Sequence, residues 1–191
     1  SPEILLSQSG QYYKTVALAG TQLKTDDIDS VQWGKKEIEE HAFIETYLEQ
    51  VFTSLNIEFS KRKKYTAAAA RVCHIKSEFN FKSSVPISSV LEKIHPGPAL
   101  SGYPVTAALK SLSDYELHDR SYYTGFLGPV GNHLELYVNL RSMEIDMHYC
   151  YLYVGGGYTK DSDPHSEWEE TEMKASTLLD LIDFSTHKKM A

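Results

Sequence analysis

Residues 65–83 read YTAAAARVCHIKSEFNFKS. Two tendencies compete in this stretch. The alanines at 67–70 favour a helix, because alanine gives up no side-chain entropy on becoming helical. Phe79 and Phe81, set among polar residues, repeat with the period of two that marks a half-buried strand. The stretch supports both readings, and the choice decides how much of the chain is sheet.

The flanking sequence is clearer. Upstream, QYYKTVALAG (11–20) is rich in β-branched and aromatic residues and ends on glycine, which predicts a strand running into a tight turn at Gly20. KTDDIDSVQ is polar and loop-like. From Trp33 to Leu55 the apolar residues Ile38, Phe43, Ile44, Leu48, Val51, Phe52 and Leu55 recur at helical spacing and predict an amphipathic helix. Downstream, SSVLEKIHP predicts a short helix stopped before Pro96. YPVTAALKSL predicts another, with Pro104 in its first turn. HLELYVNLRSMEIDMHYCYLYVGGG predicts two strand runs parted by a turn near Glu144–Asp146, and a last helix is expected over about Ser166–Ile182, with Leu178, Leu179 and Leu181 on its apolar side. Strands alternating with helices predict a mixed α/β or α+β domain over residues 1–191, with no internal repeat.

Composition narrows the function. The chain has 191 residues, 41% hydrophobic, enough for one substantial core. Its net charge of −7 argues against a general nucleic-acid or membrane-surface role, yet a few local cations suffice for an anionic small molecule. Cys73 and Cys150 have neither metal-type nor redox spacing, so a reducing, cytoplasmic setting is the default. No apolar run is long enough to span a bilayer. The sequence opens SPEILL, without Met, and reads as starting inside a longer protein.

Several residue groups have the chemistry of a site. SEWEETEMK (166–174) carries Glu167 and Glu170 three residues apart, which are neighbours on a helix, and KKEIEEHAF (35–43) repeats the pattern with Glu37 and Glu40. Either pair alone is accounted for by a solvated helix start, where carboxylates are favoured. Two pairs together suit a hard cation, and Mg²⁺ is commonly held by one or two carboxylates with waters and substrate oxygens. LYVGGGYT (152–159) ends a strand in three glycines, which serve either a plain turn or an anion approaching backbone N–H groups. Arg141, among apolar neighbours, needs an anionic partner, internal or on a substrate. Lys174 lies four residues after Glu170, as an ion pair with it or as a second cation for the same anion. His74 lies in a mostly apolar stretch and His95 at a helix end, positions where histidine is usually structural.

Taken together, SPEILL, ALAGT, EEHAFI, HPGPALSGYP, YVNLRS and LYVGGGYTKDSDPHSEWEETEMK resemble, in order and near spacing, the motifs of the chorismate-utilising enzymes. That family includes isochorismate, salicylate, anthranilate and aminodeoxychorismate synthases. The resemblance spans essentially the whole chain and corresponds to the C-terminal half of a full-length member. It implies a fold of sheets flanked by helices around a cleft for chorismate and Mg²⁺. By resemblance, Glu40 and Glu170 are the direct Mg²⁺ ligands, with Glu37 and Glu167 acting through waters. Arg141, Lys174 and the backbone at Gly155 and Gly157 resemble the carboxylate-binding groups, and Tyr123 lies beside the substrate. Gly20 and Thr21 match the turn beside the reacting ring carbons. Glu3 matches the general acid at the departing C4 hydroxyl, and His74, in CHIKS, a histidine near that hydroxyl.

HPGPALSGYP has the isochorismate-type form, and Ala99 stands where pyruvate-eliminating relatives tend to have Thr. The resemblance therefore implies an isochorismate synthase, with a salicylate- or anthranilate-type enzyme and a non-catalytic chorismate-binding fragment as alternatives. Menaquinone and siderophore pathways both draw on such a product. Two departures stand out. Gly97 replaces the usual Thr or Ser, and the connection from Gly20 to Glu40 is short. The family's water-activating Lys lies on the N-terminal half and has no counterpart here, so that half is the expected missing partner.

Overall fold

A computed structural model describes residues 3–69 and 72–182. The competition in residues 65–83 resolves in favour of sheet. Tyr65–Ala69 and Val72–Phe81 form antiparallel strands, in the register Tyr65↔Lys76 through Ala69↔Val72. The two residues between them, Ala70 and Arg71, lie outside the described residues, as do Ser1 and Pro2 of SPEILL.

The strands are β1 (Glu3–Ser9), β2 (Tyr12–Leu23), β3 (Phe59–Lys61), β4 (Tyr65–Ala69), β5 (Val72–Phe81), β6 (Phe126–Leu127), β7 (Glu135–Val138), β8 (Ser142–Ile145) and β9 (Cys150–Tyr153). The helices are α1 (Lys35–Ser54), α2 (Ile87–Ile94), α3 (Pro98–Ser101), α4 (Val105–Tyr115) and α5 (Pro164–Leu179). Seven strands make one sheet in the order β3-β5-β2-β1-β7-β6, with β4 also on β5, while β8 and β9 form a separate hairpin. All the pairings are antiparallel. With helices packed on the sheet, the fold is mixed α+β.

β5 explains why local propensity lost. Cys73, Ile75, Ser77, Phe79 and Phe81 are buried at a period of two, and His74 is buried between the first two. On α1, Ile44, Leu48, Val51 and Phe52 are buried and pack into the same core. Phe52 is fully buried, its ring centroid 4.8 Å from Phe81, 5.1 Å from Phe59 and 5.9 Å from Phe79. Burying these rings outweighs a few tenths of a kcal/mol per residue of alanine helix propensity.

Three expectations need correction. β2 does not turn at Gly20: it runs on to Leu23 through an irregularity in its pairing with β5 between Ala19 and Gln22. Gly20 absorbs that bulge with φ +71°. The run from His133 to Ile145 is two strands, not one. It breaks between β7 and β8, where Arg141 takes a left-handed φ of 48°. The turn after β8 falls at residues 146–149, where Asp146 Oδ1 accepts from the backbone N–H groups of His148 and Tyr149. Finally, α5 ends at Leu179, and Leu179 and Leu181 are exposed. The side chain that α5 buries is Glu167. Its inward face is acidic, because it closes a charged site and not the apolar core.

Candidate functional site

The site begins where β2 meets the start of α1. Gly34 caps the helix, and Lys36, Glu37 and Glu40 follow within its first two turns. A Cβ on Gly20 would lie 2.9 Å from Glu37 Cβ and 3.2 Å from the Trp33 ring. Close approach and positive φ both demand glycine there. The bulge thus sets Thr21 beside the carboxylate-bearing end of α1.

α5 brings the second carboxylate pair. Asp163 caps it, its side chain accepting from Ser166 N–H at 2.9 Å, and Pro164 opens the first turn. The two helix starts converge. The Lys36 ammonium donates to Glu167 Oε1 across the gap and lies 3.6 Å from Glu40 Oε1. Burial pushes the Glu40 carboxyl above the usual range. Lys36 opposes this, and Glu170, Glu167 and Glu37 add to it. Burial alone would lower the Lys36 ammonium, yet the bond to Glu167 and the charges of Glu40, Glu167 and Glu170 hold it above its ordinary value. The four predicted glutamates therefore share one electrostatic neighbourhood.

Two carboxylate oxygens there are buried without a hydrogen-bond partner: Glu40 Oε1 and Glu167 Oε2. Both face the glycine stretch. A Cβ on Gly157 would sit 3.7 Å from the first, and one on Gly156 3.6 Å from the second. Carboxylate oxygens without hydrogen bonds under a strip of backbone suit a hard cation, by position and by donor chemistry. Among the described residues, however, no three His, Cys, Asp or Glu groups gather into a ready coordination shell. The carboxylates are arranged around an ammonium instead.

The anion-binding candidates are Lys174, Tyr123 and Arg141. Lys174 Nζ donates to Gly155 O at 2.9 Å and pairs with Glu170 at 2.7 Å, so it ties α5 to the glycine stretch. A Cβ on Gly155 would come within 3.0 Å of the Tyr123 hydroxyl, and the Tyr123 ring stacks on Tyr153 at 5.6 Å. Burial raises the Tyr123 phenol. Tyr122, Tyr123, Phe126, Leu127, Met143 and Tyr153 line an open cleft of about 480 Å³. Arg141, its side chain 9% exposed, donates from Nη2 to Glu3 Oε1 at 2.6 Å. The predicted carboxylate clamp is thus bonded to the predicted acid.

His74 is buried on β5 with Nδ1 2.7 Å from Gly20 O. A carbonyl only accepts, so Nδ1 carries the proton. Nε2, which has no partner, then presents a lone pair when the ring is neutral. Thr21 Oγ1 lies 3.5 Å from the same ring. Ala99 sits exposed on α3, which packs on α1. Lys36 escaped the sequence reading. Its signal was the i, i+4 spacing to Glu40, which also describes any surface ion pair.

Residues 1–183 match the family described as chorismate binding enzyme. The chain belongs to the chorismate-binding enzymes. A vibriobactin-specific isochorismate synthase of Vibrio cholerae is 28% identical over 197 aligned positions, covering 94% of this chain and 49% of the relative. Anthranilate synthase component 1 of Neisseria meningitidis is 27% identical, covering 94% of this chain and 39% of its own length. The structure of the menaquinone-specific isochorismate synthase MenF of Escherichia coli superposes with a TM-score of 0.85 at 24% identity, over 96% of this chain and 45% of that one. The chain spans about half the length of the curated relatives it matches. Within the family it is isochorismate synthase-like, and no described helix is long and apolar enough to cross a membrane.

Proposed function

We propose that this chain supplies the cation- and carboxylate-binding part of an isochorismate synthase, which adds water at C2 of chorismate as the C4 hydroxyl leaves. The observation that carries this reading is the meeting of two carboxylate pairs, from α1 and α5, under a glycine strip tied to Lys174. When bound there, Mg²⁺ would neutralise the glutamates and grip the ring carboxylate of chorismate. Glu40 and Glu167, with their unpartnered oxygens, and Glu170 and Glu37 beside them would hold it.

The chain's own groups do the rest. Arg141 binds a substrate carboxylate through charge-assisted hydrogen bonds, and to do so it exchanges Glu3 for the ligand. That exchange frees Glu3 from the guanidinium. Glu3, once it has taken up a proton from solvent, then gives that proton to the C4 oxygen, which departs as water. His74 Nε2 accepts from a substrate hydroxyl while Gly20 O fixes its tautomer. A base to activate water is not among these groups. The complete reaction is assigned to a protein in which this chain is joined to the corresponding remainder of its relatives.

Incubation of such a protein with chorismate and Mg²⁺, with products separated by chromatography, tests the reading. Isochorismate is expected. Anthranilate formed with an ammonia source would favour the second reading, which the similarity to the Neisseria enzyme keeps in view. Salicylate with pyruvate would move the assignment to the eliminating branch. Chorismate binding without any product would leave a binding fragment.

A further inference from the structure

Lys36 sets an ammonium among the carboxylates of this site. It leaves the first turn of α1 and crosses to Glu167 on α5, a partner 131 positions away in sequence. It touches Glu40 as well, at 3.6 Å. Glu167 is 2% exposed, so its charge has almost no water to lean on. A carboxylate buried that deeply is costly unless a counter-charge and hydrogen bonds compensate it. Lys36 compensates one oxygen, Oε1. It leaves Glu167 Oε2 and Glu40 Oε1 without hydrogen bonds. A single ammonium cannot serve every carboxylate oxygen that faces this space, whereas a divalent ion carries twice the charge and binds oxygens at shorter range. Both would draw on the same two side chains.

We infer that Lys36 is a resident counter-cation, exchanged for the divalent ion when that ion enters between Glu40 and Glu167. The inference rests on the reading of the carboxylate cluster as a Mg²⁺ seat. Its content is that occupancy is an exchange: the ion does not enter an open shell but turns out an ammonium the chain supplies. Lys36 holds α1 and α5 together while the ion is away. It also lowers the apparent affinity by the fraction of molecules in which it fills the seat.

The test is Mg²⁺ titration of the full chain by calorimetry, without substrate, for the wild type and Lys36→Gln. Glutamine keeps a hydrogen-bond donor toward Glu167 and removes the charge. In parallel, acylation of Lys36 is followed by peptide mass spectrometry with and without saturating Mg²⁺, with exposed Lys110 as internal control. Exchange predicts roughly tenfold tighter Mg²⁺ binding by the variant. It also predicts that Mg²⁺ speeds wild-type Lys36 acylation several-fold and leaves Lys110 unchanged. If the variant misfolds, the acylation arm decides alone. Wild-type binding with no change at Lys36, or a variant that binds no tighter, overturns the exchange and leaves the Mg²⁺ seat standing. No Mg²⁺ binding by wild type or variant removes the seat itself, and the exchange with it.

Discussion

The two halves of α1 do opposite things. Its C-terminal half drives Ile44, Leu48, Val51 and Phe52 into the apolar core, where every ring finds another ring. Its N-terminal half holds Lys36, Glu37 and Glu40 in a cluster where carboxylate oxygens stay unpartnered. One helix is an anchor at one end and a site at the other. The first end is optimised for packing. The second is left short of hydrogen-bond partners, which fits the proposed cation site.

Removing an anchor side chain should have the largest effect. Phe52→Ala is expected to destabilise the fold by roughly 3–5 kcal/mol, read as a lowered denaturant midpoint. A loss under about 1 kcal/mol would mean that α1 is not held from its C-terminal half. Next is Arg141→Ala, which leaves Glu3 and, on the proposed function, a substrate carboxylate without their guanidinium. Chorismate binding by the complete protein should weaken by roughly 2–5 kcal/mol in a binding titration. Unchanged binding would assign Arg141 to the fold.

A fully partnered ion pair sharpens the contrast with the underpartnered cluster. Arg120 donates to both oxygens of Glu116, and also to Leu100 O at 2.9 Å and Thr124 Oγ1 at 3.2 Å. Arg120→Ala should cost about 1–3 kcal/mol, since hydrogen bonds to charged groups are the stronger kind. The bond from Arg120 holds the Glu116 carboxyl below its ordinary range. Its contribution is therefore complete above the unfolded value and fades as pH falls through the lower, folded one. Stability against acid, compared between wild type and variant, checks this: the gap should narrow only in that acidic window.

The smallest effect is expected at Glu40, and it has the opposite sign. Burial raises this carboxyl, so its ionised form weighs against folding at neutral pH, and that penalty fades as pH falls through the raised folded value. Glu40→Gln without metal should change stability by about 1 kcal/mol or less, on the stabilising side, and flatten that pH dependence. A loss like that at Arg120 would mean that the cluster serves stability after all.

Much of this could be read from the residues. α1 declared itself because seven apolar residues at helical spacing leave no other periodicity. The paired glutamates on α1 and α5 marked two helix starts as possible halves of one site. Where reading failed, the cause was tertiary. Alanines at 67–69 became strand because β5 offered an edge and the aromatic core paid for it. Leu179 and Leu181 looked like an apolar face, but the side of α5 that is covered is the one bearing Glu167. The bond between Glu3 and Arg141 joins residues 138 apart, set side by side because β1 pairs with β7. No local pattern encodes such a meeting.

The pairing of β1 with β7 also has a consequence in time. Glu3 lies opposite Val138, so during synthesis β1 waits with one edge open until β7 has left the ribosome. At ~5–20 residues per second the wait is on the order of ten seconds. For that interval Ile4, Leu5 and Leu6 form an unpaired hydrophobic edge, the kind that recruits a neighbouring nascent chain. Closing a loop this long is also slow in its own right. Expression at lower temperature or with a holding chaperone should raise the yield of this protein chiefly by guarding β1 through that wait.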